Sequence, residues 1–206
     1  AAYAVVSYQT AWLKYYYPVE YMAALMTSVI DNPGKVAEYI YSCRQMGIKI
    51  LPPDINHGYS SFSVDNGSIR YGLAAIKSIG RPVIKEIVAE RKANGEFKNL
   101  KDFIERMSGK DINKRTIENF IKSGAFDELG GTRKQFMVIY VQILDQVNRE
   151  KKNSMTGQMS LFDIVGEEQK SEFDIPLPNV GEYEKSTKLA FEKEVLGIYV
   201  SGHPLE

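Results

Sequence analysis

Cysteine is almost absent from this 206-residue chain. Cys43 stands alone, so no internal disulfide can form and no cysteine-based zinc site can be assembled. Histidine is nearly as scarce: His57 and His203 lie far apart, with no metal-ligand spacing around either. No apolar run approaches the roughly 18 residues that a membrane-crossing helix needs, which argues against a membrane partner. The opening Ala1-Ala2-Tyr3-Ala4-Val5-Val6 has neither the basic start nor the cleavage site of a secretory signal. A reducing, cytoplasmic setting is expected. Net charge is absent too, with 26 Lys and Arg balancing 26 Asp and Glu.

That balance hides a segregation. Residues 1–69 carry 4 basic and 5 acidic side chains, residues 70–152 carry 18 and 11, and residues 153–206 carry 4 and 10. A polyanionic partner is therefore expected to meet the middle of the chain, although a solvated surface would show the same charges. The hydrophobic content of 44% suffices for a packed core.

The local patterning is mainly α, with two or three short strands. Residues 1–17 contain no Gly or Pro and show no cap before the first apolar positions, as if a helix had already begun within a larger protein. Pro18 suits the first turn of a second helix over 18–29, and a third ends at Gly47. Ile48-Lys49-Ile50-Leu51 reads as a strand, and Asp65-Asn66-Gly67 as the turn of a small hairpin. Helices are expected at 73–77, 82–92, 100–107, 113–123, 132–151 and 186–195, with a linker from about residue 152. Cys43 falls inside the third helix and reads as a small core residue.

Two helix–turn–helix units within the basic region carry the main chemical signal. In the first, Lys77-Ser78-Ile79-Gly80-Arg81-Pro82 joins a short helix to a longer one. Ile79 can plug the two helices, Gly80 is expected to supply a positive-φ turn, and Pro82 is preset for a first helical turn. The free N–H groups at that helix start can hold a phosphate, with Lys77, Arg81 and Lys85 around it. The second unit runs from Asn113, expected to cap, through Lys114, Arg115 and Lys122 to a turn at Gly124. Arg133 and Lys134 open its following helix. Together the units could straddle a duplex backbone without reading sequence. An ordinary αα-hairpin packing a core would use many of the same residues.

These units resemble tandem helix-hairpin-helix modules, with Ser78 standing where a glycine is usual. More of the chain resembles the C-family bacterial replicases, the alpha subunits of DNA polymerase III. The blocks are Ala1 to Lys14 with Tyr17-Pro18-Val19-Glu20-Tyr21-Met22-Ala23-Ala24-Leu25, Ile50-Leu51-Pro52-Pro53-Asp54-Ile55-Asn56, Tyr71-Gly72-Leu73-Ala74-Ala75-Ile76-Lys77, Lys122-Ser123-Gly124-Ala125-Phe126-Asp127, and Glu194 to Leu205. They occur in family order. The resemblance implies distal fingers over 1–66, a tandem helix-hairpin-helix domain over 67–152, and over 153–206 a segment leading to an oligonucleotide-binding domain. It further implies that Tyr3 faces the incoming nucleotide, although a core aromatic would read alike. The palm carboxylates and their Mg would lie outside these residues, leaving the fragment without cofactor or activity.

Gln158-Met159-Ser160-Leu161-Phe162 resembles the pentapeptide by which replication proteins dock on the β sliding clamp. Leu161 and Phe162 would enter an apolar pocket, with Gln158 bonded at its rim. The expected partners are thus double-stranded DNA, the sliding clamp and other replisome subunits. A repair or recombination scaffold built on tandem hairpins is the rival reading, and it leaves the first 60 residues unexplained.

Overall fold

In a computed structural model of the chain, residues 2–155 and 175–202 are described. The clamp-like pentapeptide, Gln158 to Phe162, lies outside them, as does His203. Eight α-helices and one three-stranded sheet make up the regular structure of the described residues. This is the mainly α architecture with a few short strands that the sequence predicts.

The helices are α1 (Ala2–Tyr16), α2 (Pro18–Ser28), α3 (Pro33–Gln45), α4 (Arg81–Asn94), α5 (Leu100–Met107), α6 (Lys114–Ser123), α7 (Arg133–Met155) and α8 (Lys185–Leu196). Their starts follow local chemistry. Pro18 and Pro33 occupy first turns, where a missing N–H costs nothing. Asn32, Asn99 and Asn113 each accept a bond from a first-turn amide. At α7 the Thr132 hydroxyl accepts from the Gln135 amide and the Gln135 side chain accepts from the Thr132 amide, a reciprocal capping box.

Strands β1 (Ile50–Leu51), β2 (Ser63–Asp65) and β3 (Ser68–Arg70) form a sheet in the order β1-β3-β2. β2 and β3 are antiparallel, with Val64 opposite Ile69, and are joined through Asn66 (φ 49°) and Gly67 (φ 77°). Two left-handed residues in a two-residue loop suit the twist of a hairpin, and Asn-Gly supplies them cheaply. α2 covers this hairpin, and Met22, Ala23 and Met26 are buried.

From there a single apolar core continues into the helical region. Phe97, Phe103, Phe120 and Phe126 stack through it, with Phe103 4.9 Å from Phe126 and 5.0 Å from Phe97, ring centre to ring centre. The loop after β1 staples this region together. Asp54 is buried and accepts from the Asn56 and His57 amides. The Asn56 side chain brackets the Phe97 peptide, and the Ile55 amide donates to the Ala125 carbonyl.

Residues 73–77 do not form the expected helix. Only a single 3-10 turn, Leu73–Ala75, is present, and the chain is extended by Ile76. Tertiary bonds decide the matter: the Lys77 amide donates to the Val195 carbonyl at 2.8 Å, while its carbonyl accepts from Asn119 at 2.7 Å. A residue held at both ends by other helices cannot also extend a helix of its own.

Candidate nucleic-acid interface

The first turn exposes what its sequence promises, but by another route. Gly80 has φ −76°, so it is not the left-handed residue; Ser78 is, at φ 63°. The reversal comes two residues earlier than expected because Ile79 must point inward, and it is buried beside Ile76, Val83 and Ile84. Gly80 itself faces solvent, and a Cβ there would meet only the Pro82 ring. Among the described residues no protein acceptor takes the Gly80 or Arg81 amide, and α4 begins there without a side-chain cap. These N–H groups stand at the positive end of a 14-residue helix.

The cations around this turn differ in freedom. Lys77 and Lys85 are exposed, and no described carboxylate pairs with either. Arg81 reaches Asp31 at 2.9 Å, an ion pair in which both side chains are well exposed. Such pairs are weak and readily exchanged for another anion.

The second turn is built inward. Gly124 is left-handed (φ 84°), ends α6, and is buried. Its amide donates to the Ile121 carbonyl, and the Ala125 amide donates to the Phe120 carbonyl. A Cβ at Gly124 would strike the Arg133 guanidinium. The Gly124 and Ala125 amides are thus both taken by carbonyls of α6.

Arg133 is buried as well. Its guanidinium bonds Asp127 at 2.9 Å, Glu192 at 3.1 Å and the Lys122 carbonyl at 3.2 Å. Glu192 is wholly buried, and its second oxygen accepts from the Val200 and Ser201 amides. Burial disfavours the Arg133 charge, but Asp127 and Glu192 outweigh it and raise its pKa. The α7 start is also taken: Glu182 accepts from the Arg133 and Lys134 amides. Burial works against ionised Glu182, yet these amides, that of Tyr183 and nearby Lys188 hold its carboxyl below the usual range. Gly124 thus serves the core, its amide bonded within α6, while Arg133 and the Lys134 amide serve the core and the capping of α7, because acids from α8 and from the segment before it satisfy them first.

What the second unit offers instead is a cleft. Lys77, Lys114, Arg115 and Lys122 line one depression of about 400 Å³, floored by Asn119 and edged by Glu118 and Glu194. Asn113 caps α6 as expected, so Lys114 and Arg115 sit on its exposed first turn. Lys114 lies 3.6 Å from Asp145, while Arg115 pairs with no described carboxylate. Lys122 is 13% exposed, between Glu118 at 2.9 Å and Glu194 at 3.0 Å. Burial alone would lower its pKa; the two carboxylates reverse the sign and raise it.

Thus Lys77, Ser78, Gly80, Arg81, Lys85, Lys114 and Arg115 reach solvent around one turn and the adjoining cleft, and Ile79 anchors that turn from inside. Tyr3 stands apart on α1, 90% exposed. Sequence reasoning passed over Asn119, Glu182, Glu192 and Glu194. For the three glutamates the only advance sign was the acidic excess of residues 153–206, which neutralises part of the basic middle; Asn119 had none. Among the described residues no group of three or more His, Cys, Asp or Glu is placed to hold a metal ion.

Residues 47–136 match a family model described as "Helix-hairpin-helix motif". The whole chain aligns with proteins named DNA polymerase III subunit alpha. It is 40% identical over 205 residues to that of Mycobacterium leprae, and 41% identical over 206 residues to those of Borreliella burgdorferi and Escherichia coli. These alignments take in 100% of this chain but only 17–18% of each relative, so the chain spans less than a fifth of their length.

Proposed function

We propose, from the premise that this chain is homologous along its whole length to part of the DNA polymerase III alpha subunits, that it is the segment of a replicative polymerase that holds duplex DNA and the sliding clamp. The observation that carries the reading is the open start of α4: the Gly80 and Arg81 amides without protein acceptors, ringed by Lys77, Arg81 and Lys85. Backbone N–H groups at a helix start, backed by its dipole, suit a phosphate, and exposed cations add affinity without reading bases. Lys114 and Arg115 extend the same positive surface onto the second unit.

Contact is therefore made through one turn and a cleft rather than through two equivalent turns. One rail of the duplex seats at Gly80, and the neighbouring phosphates run toward the α6 start. In the longer protein this contact serves template-directed chain elongation, with Mg-dependent phosphoryl transfer performed by palm carboxylates outside these residues. On this reading residues 1–66 belong to the fingers, and Tyr3 faces the incoming nucleotide. Residues 67–152 form the DNA-holding domain. Residues 153–206 carry the pentapeptide Gln158-Met159-Ser160-Leu161-Phe162, which docks on the clamp of a cytoplasmic replisome.

Replacing Lys77, Arg81 and Lys85 together by Ala should weaken duplex binding similarly for unrelated sequences. It should flatten the dependence of affinity on salt by about one unit of slope per phosphate contact removed. Unchanged affinity and slope would remove the first turn from the interface. For the pentapeptide, changing Leu161 and Phe162 to Ala should abolish clamp association and leave DNA affinity intact; retained clamp binding rejects that assignment.

A further inference from the structure

The basic cleft contains a carboxylate that arrives from far away in the chain. Lys122 and Glu118 share α6 and are one turn apart, so they move together. Glu194 comes from α8, 72 residues on, and its Oε1 lies 3.0 Å from Lys122 Nζ. The side chain of Lys122 is 13% exposed and that of Glu194 is 53% exposed. The cation is therefore sheltered, and the acid beside it is half exposed. Phe191, one turn earlier on α8, places its ring 5.4 Å from the same ammonium and closes another approach. Lys77, Lys114 and Arg115 line the cleft with Lys122, and neither Lys77 nor Arg115 is paired to a described carboxylate. Of the four cations, then, Lys122 is the one held between two carboxylates, one of them from α8, while Lys114 lies 3.6 Å from Asp145 of α7.

Next to Glu194, the Val195 carbonyl accepts the Lys77 amide, and the Leu196 carbonyl accepts the Tyr71 hydroxyl at 3.0 Å. The end of α8 thus anchors the backbone of the first turn while its carboxylate reaches into the cleft. A duplex phosphate and the Glu194 carboxylate are both oxyanions seeking the same donor. Glu194 is half exposed, so its side of the pair is screened by salt and a phosphate can compete for the same donor.

We infer that Glu194 is a built-in competitor for DNA at Lys122, and that the cleft reaches its full grip on a phosphate only when this carboxylate is neutralised or moved aside. This rests on the duplex-binding reading given above. Lys122, then shared with Glu118 alone, joins Lys77, Lys114 and Arg115 in acting on the backbone. Removing the Glu194 charge strengthens DNA binding without altering the first turn's amides.

The test is duplex affinity of the full chain, measured with a mixed-sequence 20-base-pair DNA across a salt series. Glu194→Gln keeps the shape and removes the charge, and Glu194→Ala serves as a second variant. Both should bind about three- to tenfold more tightly at low salt, with a salt slope steeper by about one, the increment for one added phosphate contact. Lys122→Ala alone should change affinity little, because Lys122 is already occupied, and combining it with Glu194→Gln should erase the gain. A gain that survives Lys122→Ala would be a general charge effect and would overturn the inference. So would Glu194 variants that bind like the wild type while the wild type shows ordinary salt-dependent binding. A wild type that binds no duplex at any salt would overturn the duplex reading itself.

Discussion

Ser78 holds a φ of 63°, a backbone state that costs a non-glycine residue about 1–2 kcal/mol. Ser78→Gly should therefore stabilise the chain or leave it level, by up to ~1 kcal/mol once glycine's greater freedom in the unfolded chain is counted. Chemical denaturation reads this directly, and a loss of stability would mean that the Ser78 side chain holds the turn. Gly124 presents the opposite case, being left-handed and packed against Arg133. Gly124→Ala should destabilise by about 1–3 kcal/mol from backbone strain, and more if Arg133 is displaced. Arg133→Met should cost more still, about 3–5 kcal/mol, because it leaves the buried Glu192 carboxylate without its cation. Lys114→Ala, on a half-exposed pair, should cost well under 1 kcal/mol. If Arg133→Met melted like the wild type but lost DNA binding, Arg133 would be a ligand of DNA and not a strut.

At the scale of elements, α4 and α5 are bound through charge. Glu90 accepts from Lys110, Asn94 and Arg106, and these bonds, Lys110's first, lower its carboxyl to a pKa of about 2. A carboxyl depressed in the folded state contributes stability that is present above its unfolded pKa and lost as pH falls. The chain should therefore lose stability between about pH 5 and about pH 2, and Glu90→Gln should lose less across that window. Identical acid profiles would remove Glu90 from the cause. Most of the elements themselves were legible in the sequence. Asn113 and Gly124 bound α6, Asn66-Gly67 sets the hairpin turn, and Pro18 starts α2; each signal acts within a few residues of what it determines. The 3-10 turn at Leu73–Ala75 was not legible, because the bonds that hold Lys77 out of a helix come from Asn119 and Val195. Likewise, nothing near Arg133 announces Glu192, 59 residues away. The two hairpins look alike in sequence, yet only one keeps outward-facing amides. Carbonyls of α6 take the Gly124 and Ala125 amides, and a distant acid, Glu182, takes those at the start of α7.

Across the whole molecule, the zero net charge is an arrangement rather than a neutral surface. The acidic excess of residues 153–206 reaches the basic middle at Glu182, Glu192 and Glu194, and it caps, buries or occupies some of the cations there. What remains open is a connected positive surface from Lys85 and Gly80 to Lys77 and Arg115. α1 stands out in the other direction. None of its side chains is buried, and Tyr3, Tyr8, Trp12, Tyr15 and Tyr16 face solvent. The central claim is that a duplex phosphate seats on the open amides before α4 and not on those after α6. Amide hydrogen exchange, with and without a duplex at low salt, reports on both turns in one measurement. Added DNA should slow exchange at Gly80 and Arg81 and leave Gly124 and Ala125 as they were. Protection appearing at Gly124 and Ala125 while Gly80 and Arg81 stayed unchanged would contradict it.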